Sequence, residues 1–146
     1  MISVNKKVFP PKSSGLIRSI LRSCGEAIGK VNLLKPQLQY AKQDIEALFV
    51  KSQFTTFPEA SEHLHKHWTP LSSIKRSITY DLDAFHTSKV KLRHLKALHK
   101  FEAYDAILTQ IITAEKYLNT CYEEVHKIEI ILDAFTLYLS KQQYEF

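Results

Sequence analysis

From Leu71 to Phe146 the chain contains neither glycine nor proline; all three glycines and all five prolines lie at or before Pro70. A sheet needs turn chemistry every ten residues or so, and 76 residues without the two strongest turn formers exclude it for this half. The expectation is helix. Of the 146 residues, 45% are hydrophobic and 24% charged, which supplies a core and is too apolar for a disordered tail. The length favours a single helical domain over 1–146, with residues 1–13 as an irregular basic arm. No stretch approaches the ~18 uninterrupted apolar residues of a membrane span.

Apolar residues recur at helical spacing along the chain. Ile17, Leu21, Cys24, Ile28 and Val31 mark a first helix that Ser13-Ser14-Gly15 can start. Pro36 lacks an amide donor and crowds the preceding turn, so it is expected to end or kink that helix. The period resumes at Leu38, Ala41, Ile45 and Leu48, so segments 14–34 and 37–53 read as two helices or one bent one. Phe54–Phe57 reads as a loop. Thr56 and Glu59 have capping-box spacing with Pro58 in the first turn, opening a short helix to about Trp68. Thr69-Pro70 repeats the start signal for a helix with the stripe Leu71, Ile74, Ile78, Leu82 and Phe85, and Ser88 can cap the next.

Towards the C-terminus, alternating steps of three and four give Ala97, Phe101, Tyr104, Leu108, Ile111, Glu115 and Leu118. A second series runs Cys121, Val125, Ile128, Leu132, Phe135 and Leu139, with a phase slip at Asn119-Thr120. Two structures satisfy this pattern: a tight hairpin turning at Asn119-Thr120, or a single helix of about 55 residues with a local overwind. The expected fold class is all-α, an antiparallel bundle of four to five helices, with one very long C-terminal helix as the variant.

Charge is unevenly distributed. Residues 1–100 hold 17 Lys/Arg and 7 Asp/Glu, whereas residues 101–146 hold 3 and 8. Such polarity suits either a basic binding face or complementary pairing of the two parts. Lys6, Lys7, Lys12, Arg18 and Arg22 precede any acid, a composition that resembles a mitochondrial presequence, but the run from Leu16 to Val31 merges with the core period of the first helix. Cys24 and Cys121 fall at apolar helical positions outside any CxxC spacing and read as small buried hydrophobes. An intracellular, reducing, cytoplasmic setting is the corresponding expectation.

Several constellations bear on function. Between Ala84 and Phe101 there is no acid, and Lys89, Arg93, Lys96 and Lys100 share one helix face at i, i+4, i+7, i+11. Cations a turn apart can track phosphates in a salt-sensitive, sequence-independent way, which makes nucleic acid a candidate partner. A second constellation is His-rich: Glu59, His63 and His67, each four apart, stack on one side of a helix and offer a carboxylate and two imidazoles to a metal ion. The HExxH arrangement is missing, so metallo-hydrolysis is not implied. Gly15, Gly25 and Gly29 lie in no GxxxxGK or GxGxxG context, which excludes a P-loop.

Two resemblances rest on short motifs. The pairs Glu62–His65 and Glu123–His126, both Glu-x-x-His, resemble those of the ferritin-like di-iron carboxylate family, and the resemblance implies lone carboxylates at Glu26 or Glu46 and at Glu102 or Glu115. Arg93 and His99, with His94 after the arginine, resemble the Arg-x(4–6)-His pattern of the HEPN ribonucleases. That resemblance implies a phosphate-positioning Arg93 and an acid–base His99 acting on a ribose hydroxyl, commonly across a dimer. The reading that takes in most of the chain is a non-catalytic helical interaction or assembly subunit without cofactor, docking another protein or a second copy of itself. Tyr117, Tyr122, Ile130, Leu137 and Tyr138, apolar residues off the main seam, are its candidate interface.

Overall fold

A computed structural model describes residues 14–51, 57–98 and 103–145. Three α-helices account for them: α1 (Ser14–Lys51), α2 (Phe57–Leu98) and α3 (Tyr104–Glu145). The all-α class stands, but among the described residues there are three helices rather than four to five. Thr56, His99, Lys100, Phe101 and Glu102 lie outside the described residues.

The difference comes from candidate boundaries at which the helices run on. Pro36 lies inside α1 and Pro70 inside α2, so neither ends a helix. Each proline deprives one carbonyl of its amide partner, that of Asn32 or of Lys66. All four residues are exposed, so water can serve the carbonyl and the helix continues. Ser88 lies inside α2 and caps nothing. Asn119-Thr120, the turn of the hairpin reading, lies within α3, which excludes the hairpin; α3 has 42 residues rather than about 55, and Ala97 belongs to α2. α3 starts with the Ile107 amide donating to the Ala103 carbonyl at 2.9 Å, and Asp105 in its first turn faces the positive end of the helix dipole.

The continuity of α3 has a cause in its sequence. Its buried positions are Tyr104, Ile107, Ile111, Ala114, Leu118, Cys121, Val125, Ile128, Leu132, Phe135 and Leu139. These alternate steps of three and four without a slip, a heptad pattern across the whole helix. The expected slip arises from placing Leu108 and Glu115 on the seam. Ile107 and Ala114 occupy those places instead, and Leu108 and Glu115 sit beside them, half-buried. In α1 the seam is Ile17, Ile20, Cys24, Ala27 and Val31, continuing at Leu38 and Ile45, so Ile20 and Ala27 replace the expected Leu21 and Ile28. In α2 one line of the seam recurs every seventh residue at Leu64, Leu71, Ile78, Phe85 and Leu92. The interleaved line, His67, Ile74, Asp81, Ser88 and Leu95, is half-buried and partly polar.

The chain divides into two compact units, Met1–Val31 with Thr79–Asn119 and Asn32–Ile78 with Thr120–Phe146. Each draws a segment from all three helices. In the first unit Lys30 pairs with Asp81 at 2.6 Å, joining α1 to α2, and Lys89 pairs with Glu115 at 3.0 Å, joining α2 to α3. Lys96 sits 4.3 Å from the centroid of the Tyr104 ring. Since Lys89 meets Glu115 while the later Lys96 meets the earlier Tyr104, α2 and α3 run antiparallel there. In the second unit Lys75 Nζ lies 2.7 Å from Glu129 and 4.9 Å from the centroid of the Tyr122 ring, again joining α2 to α3. Among the described residues no buried side-chain nitrogen or oxygen lacks a hydrogen-bond partner.

Candidate functional site

In the second unit, α2 presents His63 and His67 on one face, a turn apart, and α1 presents Asp44 towards them. His67 Nε2 lies 2.7 Å and His63 Nε2 2.8 Å from the same oxygen, Asp44 Oδ2. Burial alone would raise the Asp44 carboxyl, but the hydrogen bonds from His67 and His63, and then their charges, outweigh it and hold the group below its ordinary value. The ionised carboxylate only accepts, so each ring donates its Nε2–H. The two rings stand edge to face, 6.0 Å apart between centroids and inclined at 65°. His67 is the most enclosed, its side chain 13% exposed; Asp44 and His63 open further to solvent at 27% and 36%.

His63 and His67 thus come together as their spacing suggests, but with Asp44 as the carboxylate in place of Glu59, which is exposed one turn earlier. One ligand atom from each of Asp44, His63 and His67 lies within 4.8 Å of the others. Nothing local in the sequence marks Asp44. It flanks the core residue Ile45 and reaches the imidazoles only because α1 packs against α2. Periodicity assigns the residue to the flank of a helix without naming what it faces.

Among the described residues the other constellations form no comparable cluster. Glu62, His65, Glu123 and His126 are exposed, as are Glu26 and Glu46, whereas the ligands of a di-iron centre project into a bundle core. Glu115 is engaged by Lys89. Arg93 is exposed on α2. Of the cationic face, Lys89 turns to Glu115 and Lys96 to the Tyr104 ring, so only part of its charge points outward.

The candidate interface residues divide. Tyr122 is half-buried under Lys75. Tyr138 stacks on the core residue Phe135, with ring centroids 6.3 Å apart. Ile130 and Leu137 are 53% and 58% exposed, Tyr138 41% and Tyr117 37%. Ile130, the exposed Ala134, Leu137 and Tyr138 share the outward side of α3 in the second unit at i, i+4, i+7, i+8.

Both cysteines are buried and in no disulfide. Burial pushes the Cys24 thiol up to about 11, with a further push from the Glu115 charge, so it stays protonated and inert at neutral pH. No helix among the described residues is long and apolar enough to cross a membrane. No protein-family model matches the chain, and no curated protein or solved structure matches it at a significant level.

Proposed function

We propose that this protein is a non-catalytic helical assembly subunit that associates with a second copy of itself through the outward side of α3. A different protein presenting an apolar helix is the alternative occupant of that surface. The observation that carries the reading is the exposed stripe of Ile130, Ala134, Leu137 and Tyr138, which lies on a helix whose inward seam is already filled. Apolar side chains at helical spacing on an outer face bury themselves when a second helix covers them. The heptad spacing of the α3 seam turns one side of that helix inward and leaves the stripe on the other. A reducing cytoplasmic setting goes with the reading, since both cysteines are enclosed and in no disulfide. The cationic face supports nucleic-acid binding less well, because Lys89 and Lys96 are already engaged within the chain.

Light scattering with small-angle X-ray scattering over a concentration series tests the proposal. The expected result is a multimer that the double substitution Ile130→Glu with Leu137→Glu converts to a monomer of unchanged helicity. A species that stays monomeric at every concentration removes self-association. A multimer indifferent to both substitutions removes this surface.

A further inference from the structure

We propose that Asp44, His63 and His67 bind one divalent transition-metal ion, with Zn²⁺ the ion they suit best, and that the ion ties α1 to α2. The site is independent of the docking surface on α3.

The argument begins with the donor set. Two imidazoles four residues apart on one helix, plus a carboxylate from another, give N₂O ligation of the kind that zinc takes with a water at its fourth position. Imidazole nitrogen disfavours magnesium and calcium, which prefer all-oxygen shells. Geometry comes next. The two Nε2 atoms are aimed at a single point, since both meet Asp44 Oδ2, at 2.7 and 2.8 Å. At metal–ligand distances of about 2.0–2.1 Å, tetrahedral ligand atoms stand roughly 3.3 Å apart. Each contact therefore has to lengthen by about half an ångström. Side chains exposed by about a quarter to a third, such as those of Asp44 and His63, can move that far while His67 stays anchored in the seam. Their exposure also gives the ion an entry route and leaves room for the water ligand.

Proton accounting is simple. Each ring now donates its Nε2–H to the carboxylate, and that proton has to leave Nε2 before a metal can take its place. On metal uptake Nε2 supplies a lone pair, the proton of each ring resides on Nδ1, and Asp44 turns from hydrogen-bond acceptor to ligand. A lone surface histidine pair has no such third partner. What distinguishes this place from the other described histidine positions is a carboxylate from a different helix, already in contact with both rings.

The test uses the full chain without an affinity tag, stripped of metal and titrated calorimetrically with ZnCl₂. One Zn²⁺ per chain is expected, with affinity reduced by about tenfold or more in His63→Ala and in Asp44→Asn. Glu59→Ala and His65→Ala, exposed neighbours on the same helix, are expected to leave it unchanged within about twofold. Circular dichroism confirms that the variants fold; His63 is exposed enough that its loss leaves the core untouched. A second measurement needs no variant: Co²⁺ bound to the wild-type chain should show the intense visible bands of a four-coordinate ion. The proposal is overturned by a failure to take up Zn²⁺, or by uptake indifferent to His63→Ala and Asp44→Asn. It is equally overturned if Glu59→Ala or His65→Ala weakens binding as much, which would put the ion on the exposed helix face. A pale, six-coordinate Co²⁺ spectrum overturns it too.

Discussion

At the level of single residues, the helix seams show how a one-residue error of phase misleads. Reading by helical spacing alone selects Leu21 over Ile20, Ile28 over Ala27 and Leu108 over Ile107. In each case the seam holds the second of the pair. Alanines at 27 and 114 are fully or nearly fully buried, and a small side chain at a contact gives little signal in the sequence. Glu115, which interrupts the apolar series when placed on the seam, is instead the partner of Lys89. Lys75 and Glu129 repeat that arrangement in the other unit. Their hydrogen bond raises the Lys75 ammonium against its partial burial, which lowers it, with the Glu129 charge adding to the rise. A lysine raised in the folded state contributes stability below its unfolded value near pH 10.4 and loses it as pH climbs through the folded value. Wild type is therefore expected to lose thermal stability above about pH 10.4 more steeply than Lys75→Met, and parallel curves for the two would contradict the pairing. At neutral pH a double-mutant cycle with Glu129→Gln should return a coupling of about 0.5–1 kcal/mol.

Among the elements, α3 was half legible. Its glycine- and proline-free sequence and its apolar spacing announced a helix, but the apparent slip at Asn119-Thr120 left a hairpin equally open. Restoring Ile107 and Ala114 to the seam removes the slip. A single helix and a hairpin respond differently to proline. Thr120→Pro would be accepted in a turn; inside α3 it costs about 3 kcal/mol or more in denaturant unfolding. An unchanged midpoint would restore the hairpin. The same logic, reversed, explains α1 and α2. Proline rules predict a break or a kink at 36 and a fresh start at 70, yet both prolines are exposed, where water can serve the freed carbonyl, and the helices run through them. Exposure at a given residue depends on where neighbouring helices lie, and a single sequence does not contain that directly. For the same reason the His63–His67 pair was visible in advance, whereas Asp44, on a different helix, was not.

At the level of the whole molecule, the charge asymmetry between residues 1–100 and 101–146 finds part of its explanation inside the chain. Lys75 and Lys89 of α2 meet Glu129 and Glu115 of α3, so some of the opposite charge is used in pairing helices. The pairs also determine something that grease alone leaves open. Seams that repeat every seven residues could be matched again after one helix slides a heptad along its neighbour. Such a slide would set Asp81 against Ser23 or Gln37 in place of Lys30. It would offer Lys75 either Tyr122 or Thr136, and Lys89 either Leu108 or Tyr122. None of these three interhelical ion pairs survives. The triple substitution Lys75→Leu, Asp81→Leu and Lys89→Leu should keep full helicity yet give several amide resonances per residue by NMR, where the wild type gives one; a single set would show that shape suffices. The scattered acids and bases along these stripes thus act as a vernier, admitting one alignment and rejecting its near-copies seven residues away.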